Sequence, residues 1–223
     1  MANVQRGILA TMSDTLQLLA DARRGAREAF EALVRAQTDR LYTLASRITG
    51  DPALAEDVVQ ETFLRVLQAG HPLPVRGDAD AWLARVATNL GIDEVRSRQA
   101  RKRREVRHAM AAREELHLDD SAERQEWNLH LAEGFAALTL ETRAAVWLHV
   151  VEGESGQRVA ECLGCREHTA YRRIRSGLED LRRFLARKGH TLPAVVPLTD
   201  LLRRLPGDRA PDSLLARLEE LGA

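Results

Sequence analysis

The side chains best suited to contacting a nucleic acid crowd into residues 82–107. Trp82, Arg85, Asn89, Asp93 and Arg96 recur at three- and four-residue steps, a spacing that puts them on one face of a helix. An indole stacks on unpaired bases, and a carboxamide hydrogen-bonds to their edges. Past Val95 come Arg96, Arg98, Arg101, Lys102, Arg103, Arg104 and Arg107, almost without relief. Such a cationic rod releases the counterions condensed along closely spaced phosphates. A charge run is more often a solvated helix end with no specific partner. The aromatic and the Asn on the same face tip this one toward nucleic acid.

Two further constellations carry chemistry. Glu56, Asp57, Gln60, Glu61 and Arg65 crowd the polar face of a second amphipathic stretch. Glu56 and Asp57 lie near its amino end, where the helix dipole stabilises carboxylates and leaves them available as docking charges. An ordinary solvated face is the alternative. Cys162, Cys165 and His168 form a Cys-x-x-Cys-x-x-His run that invites zinc. A structural zinc needs four ligands, and no second pair lies nearby at a suitable spacing. Both cysteines also fall where a helix-turn-helix wants small apolar residues, a role free cysteine fills well. With no glycine-rich phosphate loop, nucleophile elbow or spaced ligand cluster, neither an enzyme nor a bound metal or cofactor is expected.

These residues need helices to hold them, and the composition favours helices. The 223 residues are 44% hydrophobic, 4% aromatic and 30% charged, and no alternating run bounded by turn residues suggests a strand. Lys and Arg total 33 and Asp and Glu total 33, a net charge of +0; segregation of charge matters more here than its sum. No apolar run reaches membrane-spanning length, and the first residues make no secretory signal. The chain is expected to be cytoplasmic. Asp14 caps a helix through Leu19, and Ala29, Phe30, Leu33 and Val34 begin a second pattern ending at Gln37. Leu41, Leu44, Ala45 and Ile48 make the next stripe, stopped by Gly50. Asp51-Pro52 then opens the acidic helix, with Leu54, Val58, Phe63, Val66 and Leu67 facing inward. A Pro- and Gly-containing loop, residues 69–80, separates it from the basic helix, whose core stripe is Leu83, Val86, Ala87 and Leu90.

Residues 41–68, LYTLASRITGDPALAEDVVQETFLRVLQ, followed by AWLARVATNLGIDEVRSR at 81–98, resemble the first conserved domain of bacterial extracytoplasmic-function (ECF) sigma factors. The resemblance implies that the acidic helix docks on the clamp coiled coil of core RNA polymerase, with Glu56, Asp57, Gln60, Glu61 and Arg65 at the matching positions. It implies that the following helix opens and reads the minus-ten promoter element. Trp82, Asn89, Asp93 and Arg96 match there, and Arg98, Arg101, Lys102, Arg103 and Arg104 extend the set along the cationic end. In that family the intervening loop helps capture a flipped promoter base.

The remainder reads as an acidic connector, a second helical domain and a tail. Glu114, Glu115, Asp119, Asp120, Glu123 and Glu126 mark the connector, a plain tether or the family's thread through polymerase. VAECLGCREHTAYRRIRSGLEDLRRFL, residues 159–185, has helix-turn-helix grammar: Ala160 for close packing, Gly164 for the turn, and Ile174, Leu178 and Leu181 buried. It is similar to the second sigma domain, which implies minus-thirty-five recognition by Arg166, Glu167, His168, Thr169, Arg172 and Arg173. Glu154, Gly156 and Arg158 depart from that domain's usual pattern, and Gly153 with Gly156 weakens helix initiation. The tail carries two short amphipathic helices that either pack on the second domain or serve a partner.

The expected protein is therefore all-α: two small helical domains joined by an acidic linker, the second a helix-turn-helix, plus a short helical extension. The bounds are 14–107, 108–126, 127–188 and 189–223. As a sigma-type initiation factor it would bind core RNA polymerase and promoter DNA, with an anti-sigma factor as a further partner and no membrane insertion. A sigma-like mimic that binds polymerase or an anti-sigma partner without initiating is the alternative.

Overall fold

The computed structural model describes residues 15–68, 73–74, 79–105, 122–190, 198–203 and 205–222, with the backbone path alone for 99–105 and 122–125. Among these residues all regular structure is helical: α1 (15–23), α2 (Arg27–Thr49), α3 (Pro52–Leu67), α4 (Ala79–Glu105), α5 (Ala122–Ala136), α6 (Leu140–Val150), α7 (Gly156–Cys162), α8 (Glu167–Arg187), α9 (Leu198–Arg203) and α10 (Asp212–Leu221). The all-α expectation holds. The chain forms two compact units, Met1–Gly91 with Gly207–Ala223, and Ile92–Pro206.

In the first unit, the two apolar stripes of residues 29–48 belong to one continuous helix, α2. Phe30, Leu33, Val34, Gln37, Thr38, Leu41, Leu44, Ala45 and Ile48 are all buried, in unbroken steps of three and one. Gln37 and Thr38 interrupt the apolar pattern without interrupting the helix, because their polar atoms are satisfied where they are buried. The Thr38 hydroxyl donates to Val34 O at 2.6 Å, and Gln37 Nε2 donates to Asp80 Oδ1 at 2.9 Å.

The acidic helix α3 is bounded as its sequence requires. The Asp51 carboxylate accepts from the N–H groups of Ala53 (3.0 Å) and Leu54 (3.2 Å), satisfying two orphan donors of the first turn. At the other end Arg23 donates to the carbonyls of Val66 (2.8 Å) and Arg65 (2.9 Å), a cation at the negative pole of the helix. Leu54, Ala55, Val58, Val59, Thr62, Phe63 and Val66 face the core. The Phe63 ring meets Phe30 edge-on, with centroids 6.0 Å apart. Polar contacts also fix the start of α4, where Arg40 donates to Asp80 O at 3.2 Å beside the Gln37 contact.

The tail is two separate pieces. Helix α9 is part of the second unit, where Arg203 Nε donates to Val150 O at 2.7 Å. Residues 207–222 return to the first unit and pack on α2 and α3. Leu214 and Leu218 of α10 are wholly buried there. Asp208 N–H donates to Thr43 Oγ1 at 2.9 Å, Ala210 N–H donates to Asp39 Oδ1 at 2.9 Å, and Arg47 lies 3.4 Å from the Asp208 carboxylate. Of the two readings of the tail, packing on the second domain describes α9 and not α10.

The second unit is built on α8, which α5, α6 and α7 all contact. Leu131, Phe135, Val146, Leu148, Val159, Leu181 and Leu185 fill its core, with Phe135 and Trp147 rings 5.7 Å apart. Two glycines let the helices approach. A Cβ on Gly177 would lie 2.7 Å from methyl carbons of Thr142 and Val146, and one on Gly134 would lie 2.6 Å from Leu181 Cδ1. Residues 108–121 of the acidic connector lie outside the described residues, and 122–126 already belong to α5.

Candidate protein and nucleic-acid interfaces

The polar face of α3 carries the five residues singled out from sequence. Asp57 is exposed; Glu56, Gln60, Glu61 and Arg65 are half-buried at its margins. Arg65 Nε donates to Glu61 Oε1 at 3.1 Å, one helical turn away. The Glu56 carboxylate accepts from Arg217 of α10. Sequence reading had no means of finding Arg217, because it approaches Glu56 from 161 positions along the chain.

On α4 the polar and apolar faces differ from the expected assignment. Trp82, expected on the polar face with Asn89, is 9% exposed and belongs to the core with Ala81, Leu83 and Ala84. The first turn and a half of α4 is enclosed on nearly all sides, so periodicity there does not separate faces. The stripe itself is rotated: Leu83 and Ala87 are buried as expected, Val86 and Leu90 are half-exposed, and Ala84, Thr88, Gly91 and Ile92 take the inner positions. Arg85 and Asn89 are half-exposed, and Asp93, Arg96 and Arg98 are exposed. The helix runs on to Glu105 as the cationic stretch requires, although the side chains of Arg101, Lys102, Arg103 and Arg104 lie outside the described residues, as does Arg107.

Arg96 donates to Glu141 Oε1 at 2.9 Å, at the first turn of α6. That hydrogen bond, then the Glu141 backbone N–H and the charges of Arg96 and Arg173, hold the Glu141 carboxyl below its usual value of 4.5 against partial burial. A depressed folded value means that this stabilisation is complete above 4.5 and is lost as pH falls through the folded value. Glu141→Gln is therefore expected to lower stability near neutrality by up to about 1 kcal/mol, the scale of an exposed pair. The difference from wild type should shrink toward zero in urea titrations carried below pH 4.5.

Helices α7 and α8 with the turn between them form the helix-turn-helix. Ser155 caps α7 by accepting from Arg158 N–H at 3.2 Å. Gly164 takes φ +58 in the turn, a left-handed conformation open to glycine at little cost, and Cys165 N–H donates back to Ala160 O at 3.0 Å. Ala170, Ile174, Gly177, Leu181 and Leu185 form the inner face of α8, with Leu178 at its edge. Arg166, Glu167, His168 and Arg172 are exposed at the amino end of α8, and Thr169 and Arg173 are half-exposed. The expected minus-thirty-five set thus lies together on one helix end, with Arg173 also facing Glu141.

The family model for sigma-70 region 2 matches residues 33–101, which takes in most of α2, all of α3 and most of α4. The ECF RNA polymerase sigma factor SigL of Mycobacterium tuberculosis is 39% identical over 180 residues, covering 75% of this chain and 97% of SigL. The chain belongs to the ECF sigma factors. SigE of Mycolicibacterium smegmatis, another ECF RNA polymerase sigma factor, is 34% identical over 167 residues, covering 74% of this chain and 64% of the relative's length. Among solved structures, the sigma factor RpoE of Bartonella quintana, in complex with the anti-sigma factor NepR, superposes with a TM-score of 0.58. It is 20% identical, covering 70% of this chain and 96% of that one, a likeness of fold.

Within this sigma factor the departure at Gly156 has a packing reason. A Cβ on Gly156 would lie 2.3 Å from Tyr171 Cζ, so the glycine makes room for that ring. Tyr171 was absent from the sequence-derived set and stands 50% exposed beside Arg172. Its signal was legible: an aromatic on a basic helix, one position past the core register set by Ala170 and Ile174. Cys162 is buried and Cys165 half-buried, in line with apolar packing roles. Among the described residues, the side chains that converge at ligand distance are Glu126, His130 and His190.

Proposed function

We propose that this sigma factor docks on core RNA polymerase through the polar face of α3, opens minus-ten DNA along α4, and reads the minus-thirty-five element with the amino end of α8. The observation that carries the reading is the placement of charge. Asp57 projects from a helix whose caps are supplied by other residues, Asp51 and Arg23, so it is left available for a partner. Asn89, Asp93, Arg96 and Arg98 follow along α4 within the residues matched by the region 2 model. Recognition by α8 would draw on Arg166, Glu167, His168, Thr169, Arg172 and Arg173, with arginine forks suited to guanine edges or phosphates.

The work is recognition and strand opening driven by binding energy, with no covalent step. It takes place in the cytoplasm, where polymerase acts; no helix among the described residues is long and apolar enough to cross a membrane. The RpoE relative is held by an anti-sigma factor, and a protein of that class is a further partner proposed for this chain. Run-off transcription tests the reading: purified chain added to core polymerase should produce transcripts from fragments that core alone does not use. Transcription that is identical with and without the chain would overturn it.

A further inference from the structure

Helix α5 and the turn after α8 bring together three side chains that the initiation function does not use. Glu126 and His130 are one helical turn apart on α5, an i, i+4 spacing that points both side chains along one face. His190 comes from 60 positions away, and His130 Nδ1 lies 2.7 Å from His190 Nε2. A carboxylate oxygen of Glu126 and a ring nitrogen of each histidine all lie within 4.8 Å of one another.

The backbones behind these groups are fixed. Gly189, at φ +88, and His190 close α8 with paired hydrogen bonds, Gly189 N–H to Ala186 O at 3.1 Å and His190 N–H to Leu185 O at 2.9 Å. Trp127 stands edge-on to the His190 ring, with centroids 4.8 Å apart. The neighbouring Lys188 charge is matched by Glu133 at 3.0 Å. Two imidazole nitrogens directed at each other need something electrophilic between them, either one proton or one cation.

We propose that Glu126, His130 and His190 form a site for a borderline divalent cation, Zn(II) or its congeners Co(II) and Ni(II), which clamps α5 to the carboxyl end of α8. Two imidazoles and a carboxylate are the donor set these ions prefer, with water left to complete the shell. With metal–nitrogen bonds of about 2.0–2.1 Å, tetrahedral ligand atoms stand roughly 3.3 Å apart. The histidine pair must therefore open slightly and the carboxylate swing inward, both within reach of side-chain rotation. The site lies apart from the helix-turn-helix cysteines, and its occupancy would set how firmly α5 is tied to the helix that carries the DNA-facing arginines.

Titration of the metal-free full chain with Co(II) tests this. The expected result is one Co(II) per chain, a visible spectrum without thiolate charge transfer, quenching of Trp127 emission, and displacement by Zn(II). Added Zn(II) should also raise the Tm. Glu126→Gln, His130→Gln and His190→Gln, each checked for unchanged helical circular dichroism, should lower affinity by more than about a hundredfold, beyond what outer-shell changes alone produce at metal sites. The double variant Cys162→Val/Cys165→Ile should bind as wild type does. Absence of stoichiometric binding, indifference to the histidine substitutions, or a thiolate band lost with the cysteines would each overturn the proposal.

Discussion

Replacing Asp57 and Glu61 together with Lys is expected to abolish co-purification of this sigma factor with core RNA polymerase. Both carboxylates lie on the polar face of α3, one turn apart, and neither supplies a cap or a core contact. Truncating one member of a desolvated interfacial ion pair costs about 2–5 kcal/mol. Reversing two charges should therefore weaken binding by at least about a thousandfold, roughly 4 kcal/mol. The helix should survive, because the Asp51 cap, the Arg23 contacts and the buried residues from Leu54 to Val66 are untouched. Glu56 is left out of this variant because it also pairs with Arg217, and a change there would confound docking with the packing of α10. Undiminished co-purification would refute the assignment of this face.

The largest effect on stability is expected from α10. Leu214 and Leu218 are an i, i+4 pair with no exposed surface, seated against α2 and α3. The carboxyl-terminal turn is as tight, since a Cβ on Gly222 would lie 2.6 Å from Phe30 Cδ1. Each Leu→Ala change in such a site costs about 2–5 kcal/mol in lost burial and residual cavity. The double variant Leu214→Ala/Leu218→Ala should lose about 4 kcal/mol or more from the first unit, a substantial part of an ordinary domain's stability. Urea unfolding followed by fluorescence is the check. An unchanged midpoint would show that α10 contributes nothing to this unit, and that residues 207–222 are an appendage after all.

What could be read from sequence and what could not divide along physical lines. Local signals were legible: the Asp51-Pro52 start of α3, the Gly50 stop of α2, the Gly164 turn and the helix-turn-helix core. Each depends on residues within one or two turns. The single helix α2 is hidden in the sequence because Gln37 and Thr38 look like a break, and Asp80, Arg40 and the Val34 carbonyl make them tolerable inside. Trp82 was misplaced for a related reason: periodicity assigns one buried face, and the first turn and a half of α4 has several. The return of α10 to the first unit rests on contacts such as Asp39 with Ala210, 171 positions apart, which no local pattern encodes. Gly156 weakens helix initiation by local propensity, but Tyr171 occupies the space a side chain would need there.

The burial of Trp82 also determines how promoter opening by this sigma factor is best tested. A Trp82→Ala change would remove core volume, so loss of function there would not report on DNA. Asn89 and Asp93 lie further along α4, half-exposed and exposed, and their substitution tests the face proposed to meet DNA. Holoenzyme assembled from this sigma factor and core polymerase would first be used to select bound fragments from random duplex DNA. Permanganate footprinting of those fragments then reports unpaired thymines directly. Wild-type holoenzyme is predicted to show reactive thymines at the minus-ten position, while Asn89→Ala/Asp93→Ala holoenzyme should bind the same fragments nearly as well and leave the thymines protected. A wild-type chain that binds polymerase yet produces no reactive thymine on any selected fragment would contradict the account and identify a mimic in place of an initiator.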